Sequence, residues 1–167
     1  MGWQKLVILS LLGVLIQSCC MPLLQKKFYT TEFGGERPLK SKFKLAKTPY
    51  ILKDEDVIKT NLIYTTSFKM EGGKKSEYTS FLRFFDDGRF LSNALDTSSP
   101  LLDQYNNLKK GGVGYYKIEG NTIRLEEFVV GAQDCGKYHE YTLPLSQDGI
   151  KGYTHTLVNA LSGAPDW

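Results

Sequence analysis

The chain has 167 residues, with 21 Lys and Arg against 18 Asp and Glu, a net charge of +3 and 41% hydrophobic residues. That length fits one domain with an adequate core. The charge is divided: Pro22–Thr48 holds seven basic and two acidic residues and carries +5, whereas Pro49–Trp167 holds 13 basic and 16 acidic and carries −3, and a mildly acidic body with its cations ahead of it argues against nucleic-acid binding.

At the start of the chain Lys5 precedes an apolar run from Leu6 to Ile16, which Gln17 and Ser18 close. Eleven helical residues rising ~1.5 Å each reach about 17 Å, too short for a hydrocarbon layer about 30 Å thick. The segment instead suits a cleaved export signal. With Ile16 three positions and Ser18 one position before Cys19, it resembles the signal peptide and lipobox of a bacterial lipoprotein. That resemblance implies cleavage before Cys19, lipidation of the Cys19 sulfur, and residence in the cell envelope with the membrane as a partner through the N-terminal lipid. Because no aspartate follows Cys19, the outer membrane is favoured in a Gram-negative bacterium. A plain secreted protein is the alternative.

Removal of residues 1–18 leaves 149 residues. Residues 19–49, punctuated by Pro22, Gly34, Gly35, Pro38 and Pro49, read as a lipidated basic tether without settled secondary structure. Its lysines are those of a solvated spacer, with contact to anionic headgroups as the sharper alternative. Of the three cysteines, Cys20 and Cys135 remain after lipidation of Cys19. An oxidising envelope permits a disulfide between them, but the expectation is two unpaired thiols, with Cys135 packed as a small apolar residue.

Residues 50–167 are written with a period of two and form the β domain. Asp54–Lys59 suits one or two helical turns. Leu62, Tyr64, Thr66, Phe68 and Met70 then alternate with a more polar row. Tyr78–Phe85, the turn Asp86–Arg89 and Phe90–Leu91 make a first hairpin. Ser98–Tyr105, with Pro100 early, suits a short helix. Val113–Glu119 and Thr122–Val130 flank Gly120-Asn121 as a second hairpin, with Tyr116, Ile118, Ile123 and Leu125 as core candidates. Lys137–Leu145 and Ile150–Val158 read as a third. The expected fold is mainly β: an antiparallel up-and-down meander closing into a small barrel or strongly curved sheet, with one or two short helices.

The pattern Phe84-Phe-Asp-Asp-Gly-Arg-Phe90 followed by Gly112-Val-Gly-Tyr-Tyr-Lys-Ile-Glu-Gly-Asn-Thr-Ile123 resembles the lipocalin-like domains of small bacterial lipoproteins. The resemblance implies a small apolar ligand held inside a barrel, with Tyr64, Phe68, Phe81, Phe84 and Tyr116 as the aromatics facing it. Set against this, the same aromatics suit a packed core. A non-enzymatic structural or interaction module, contacting an unidentified envelope protein, is therefore the first expectation, and ligand binding the alternative.

Catalytic patterns are weak. Gly72-Gly-Lys-Lys-Ser76 lacks the first glycine and the Lys-Ser/Thr order of a phosphate loop, and no Gly-x-Ser-x-Gly occurs. Glu126 and Glu127, like Asp86 and Asp87, are adjacent, so an extended strand sends each pair to opposite faces. Asp134, Cys135, His139 and His155 are chemically suited to zinc but lack short ligand spacing. Neither an enzyme, a cofactor nor a metal is expected.

Overall fold

The computed structural model describes residues 27–69, 77–95, 101–131 and 135–167. Two short strands, β1 (Phe28–Thr30) and β2 (Glu36–Pro38), form a small antiparallel ladder, and a single 3-10 turn follows at Leu45–Lys47. The meander consists of β3 (Leu62–Lys69), β4 (Glu77–Phe84), β5 (Arg89–Leu95), β6 (Gly112–Glu119), β7 (Thr122–Val129), β8 (Lys137–Ser146), β9 (Gly149–Ile150) and β10 (Thr154–Leu157). One helix, α1 (Leu102–Asn106), lies between β5 and β6. The eight strands run in the order β10-β3-β4-β5-β6-β7-β8-β9, antiparallel throughout, and nearly close into a barrel. Among the described residues no helix is long and apolar enough to cross a membrane.

The first two predicted hairpins are present as β4–β5 and β6–β7. The third differs. Its return strand stops at Ile150, the chain turns through Gly152 at φ +83°, and Thr154–Leu157 pairs with Leu62–Thr65 of β3 rather than with β8. A glycine tolerates that backbone conformation without steric cost. The break is what carries the last strand over to β3, so that the sheet nearly closes on itself. His139 pairs with Glu127 on β7 and His155 with Tyr64 on β3, so the two histidines are not opposite each other.

Period two explains the two layers of the core. Tyr64, Leu82, Phe84, Phe90, Tyr116, Ile123, Leu125, Leu145 and Ile150 point into the barrel and pack together, whereas Ile63, Phe81, Leu91, Val113 and Phe128 point outward. One end of the interior is plugged by Tyr50–Ile58, with Ile58 fully buried and the Lys59 N–H donating to the Tyr64 hydroxyl at 3.0 Å. The helix expected over Asp54–Lys59 is absent there. The Asp56 carboxylate accepts from the Lys53 N–H at 2.8 Å and the Tyr50 hydroxyl at 2.9 Å, a local alternative that holds the backbone in turns.

The outward row is covered by both ends of the chain. Phe43, from the segment expected to be a spacer, inserts between Tyr115 and Tyr138 at ring separations of 5.1 and 4.7 Å. Arg37 is buried, donating to the carbonyls of Glu36 at 2.9 Å, Gly111 at 2.8 Å and Leu108 at 2.7 Å. The tether as predicted is thus too long: from Phe28 onward it is part of the folded body. At the other end, Arg83 donates to Ser162 O at 2.9 Å and Arg89 to Pro165 O at 2.9 Å, tying the C-terminal segment down beside Trp167.

Candidate functional site

The interior of the barrel has two unlike halves. Toward the Tyr50–Ile58 plug it is filled by aromatics: Phe84 meets Tyr116 at 4.9 Å and Tyr64 at 5.5 Å, both edge-on, and Tyr116 donates from its hydroxyl to Phe85 O at 2.7 Å. Toward the opposite end the same alternation places small and polar side chains on the inner face. The register aligns Thr66, Ser80 and Ala94 across β3, β4 and β5, and Leu82, Ser92 and Gly112 across β4, β5 and β6. Thr66, Ser80 and Ser92 are half-buried and Ala94 is exposed, so this end of the inner face is not sealed by apolar packing. Phe68 and Tyr78 stack at 5.7 Å on the rim, with Phe68 39% exposed.

Glu127 is the polar centre of this half. Its Oε1 accepts a short hydrogen bond from Ser92 Oγ, and its Oε2 accepts one from the Tyr141 hydroxyl at 3.2 Å. Gly112 makes the arrangement possible, since a Cβ there would lie 2.3 Å from Glu127 Oε1 and 2.6 Å from Ser92 Oγ. Burial pushes the Glu127 carboxyl above the ordinary carboxylate range, opposed by the hydrogen bonds from Ser92 and Tyr141 and by His139. Tyr141 and Tyr153 are pushed up as well, by burial first and by the Glu127 charge second. Each carboxylate oxygen retains accepting capacity beyond its one partner, so the site can take a donor from a guest. A cleft of about 250 Å³ between the β1–β2 hairpin and the ends of β6 and β7 reaches Glu127 past Gly112.

The raised Glu127 pKa has a testable sign. The fold favours the protonated form, so the stabilising contribution is complete below the unfolded value of about 4.3 and is lost as pH rises through the higher folded value. As pH rises from about 4, the ordinary carboxylate value, wild type is expected to lose stability relative to Glu127→Gln in urea unfolding. Parallel pH curves would contradict this assignment.

The sequence-predicted residues divide. Tyr64, Phe84 and Tyr116 face inward in the packed half. Phe68 faces inward at the rim. Phe81 does not face a ligand: it lies on the outer side against Tyr105, ring centres 5.0 Å apart. Phe81 and Phe84 are an odd number of residues apart on one strand, so alternation cannot place both on one face. Cys19, Asp134 and the Gly72–Ser76 turn lie outside the described residues. Cys135 is buried and disulfide-bonded, which corrects the expectation of an unpaired thiol. Glu126 and Glu127 do part to opposite faces, and Glu126, 2% exposed, accepts from the Leu45 N–H at 2.9 Å.

Sequence reasoning missed Ser92, Gly112, Glu127 and Tyr141 as a group. The available signal was the polar interruption of the inward row, Glu127 following Ile123 and Leu125 at period two. The Ser92 proton is directed to a carboxylate rather than to an imidazole, which differs from the hydroxyl–imidazole–carboxylate order of a nucleophilic triad. Among the described residues no group of three or more His, Cys, Asp or Glu is placed to hold a metal ion. The chain matches no protein-family model, no curated protein and no solved structure.

Proposed function

We propose that this is a lipid-anchored protein of the bacterial cell envelope whose lipocalin-like barrel holds one small amphipathic molecule without catalysing a reaction on it. The observation that carries the reading is the division of the interior. Aromatics pack one half solid, while the other half presents Thr66, Ser80 and Ala94 along the inner face and Ser92 on Glu127, at the end that bears the stacked Phe68 and Tyr78. A guest suited to this lining has a flat apolar part for the rim and a hydrogen-bond donor for the carboxylate, because pockets gain orientation from a few polar groups in an otherwise apolar wall. This reverses the preference for a structural or interaction module, to which the reading of these aromatics as a packed core had contributed. Export and the anchor rest on the Lys5–Cys19 resemblance.

The test is fluorescence titration of the mature chain with N-phenyl-1-naphthylamine, a neutral aromatic amine with one N–H donor. Wild type is expected to bind it saturably. At a pH high enough to ionise Glu127, Glu127→Gln is expected to bind several-fold more weakly, since hydrogen bonds to a charged acceptor exceed those to a neutral one. A linear, non-saturating signal from wild type would remove the binding-module reading.

A further inference from the structure

We propose that the cleft between the end of β4 and the segment Val158–Leu161 is a second binding site, outside the barrel interior, which takes a carboxylate group onto Arg83. Arg83 stands two residues from Phe81 on the outer face of β4. It is 4% exposed, with its guanidinium carbon 4.9 Å from the centre of the Phe85 ring. Nη1 donates to Tyr105 O at 3.0 Å and to Asn106 Oδ1 at 3.2 Å, and Nη2 to Ser162 O at 2.9 Å. Nε is buried and has no acceptor. A guanidinium carries five N–H donors, so Nε–H and one N–H of Nη2 are left unused.

The acceptors that Arg83 does have are uncharged. Among the described residues it forms no ion pair, in contrast to Arg89, which pairs with Asp87. Burial accordingly pushes the Arg83 guanidinium below its ordinary range, with no carboxylate opposing the shift. A buried cation without a counter-charge is costly. An anion offsets that cost best when it is planar and accepts from two guanidinium N–H groups at once, which is the geometry of a carboxylate.

The cleft gives such a group room. Its volume is about 370 Å³, and Arg83 and Phe85 line it together with Thr60, Asn61 and Asn159. Phe85 offers apolar surface to the body of the guest, and the exposed Thr60, Asn61 and Asn159 add hydroxyl and amide donors. Asp86, exposed on the same lining, opposes an anion. Because Nε is closed to solvent, the carboxylate reaches it by displacing part of the wall. Ala160 in that wall is held at φ +69°, a conformation that costs an L-residue energy. Asn106 pins the wall there, donating to Ala160 O at 3.1 Å and accepting from the Ser162 N–H at 2.9 Å on the same Oδ1 that accepts from Arg83. One side chain thus holds both the wall and the guanidinium.

The experiment is a proton–nitrogen correlation NMR titration of the mature chain with sodium benzoate, read at the arginine Nε–H resonances, with sodium chloride at equal ionic strength as the reference. The Arg83 Nε–H is expected to shift downfield saturably while those of Arg37, Arg89 and Arg124 stay in place. Asp86→Asn removes a like charge from the lining and should tighten binding several-fold, whereas Asn159→Asp adds one and should weaken it several-fold; both side chains are exposed, so both variants should fold as wild type. Glu127→Gln should leave the titration unchanged, which separates this site from the one inside the barrel. Acetyl-trialanine, titrated beside benzoate, distinguishes the source: whichever binds more tightly identifies a chain terminus or a free acid, and either supports the site. An Arg83 Nε–H that moves no further in benzoate and acetyl-trialanine than in chloride overturns the proposal. So does equal binding of acetyl-trialanine and its C-terminal amide, or equal affinity in the two charge variants.

Discussion

Phe84→Ala is expected to destabilise the domain by about 3–5 kcal/mol, the cost of deleting a fully buried aromatic whose surroundings cannot collapse. Phe84 is entirely buried and touches Tyr64, Phe90 and Tyr116 with ring centres between 4.9 and 6.1 Å. Tyr116 is additionally held by its hydrogen bond to Phe85 O, so it cannot swing into the space left behind. Urea unfolding of wild type and variant measures the difference. A loss below about 1 kcal/mol would mean that the half of the barrel next to the plug is already hollow.

A fragment beginning at Pro49 is expected to lose most of its stability, although composition alone places a domain boundary there. Phe43 and Leu45 are buried on the outer face, and two such side chains together contribute about 3–6 kcal/mol. Arg37 adds charge-assisted bonds to the Leu108 and Gly111 carbonyls, and each buried acceptor left without its donor costs about 1–3 kcal/mol. The sum is comparable with the whole stability of a typical domain, about 5–15 kcal/mol. Circular dichroism and urea unfolding of residues 49–167 against residues 21–167 check it. Equal midpoints would show that the N-terminal segment is dispensable.

The meander was legible because alternation and turn chemistry agreed. Gly120-Asn121 sits between two runs whose inward residues, Tyr116, Ile118, Ile123 and Leu125, are spaced by two, and the observed register pairs Ile118 with Ile123 and Tyr116 with Leu125. Alternation was less informative in β4, where both faces are covered. Phe81, Leu82, Phe84 and Phe85 are all buried, so apolarity did not mark the inward side. The segment Phe28–Lys47 was misread for a different reason. Its lysines and glycines have the composition of a solvated linker, and the partners that bury Arg37 and Phe43 are at Leu108, Gly111, Tyr115 and Tyr138, about 70 to 100 residues away. Local pattern carries no record of such contacts. The Glu127 site was hidden likewise: Ser92, Gly112, Glu127 and Tyr141 lie on four successive strands and meet only through the register in which those strands pair.

The central claim is that half of the interior is filled and half is open, and Ser80→Phe tests it most directly. Ser80 is on the inner face, between Thr66 and Ala94, in the open half. The measurement is titration of this variant with N-phenyl-1-naphthylamine beside its urea unfolding curve. The account predicts stability within about 0.5 kcal/mol of wild type, as at an unpacked position, together with loss of the saturable binding seen in wild type. A destabilisation of about 1–3 kcal/mol, the cost of forcing a ring into a packed core, with probe binding unchanged or absent in both proteins, would contradict it.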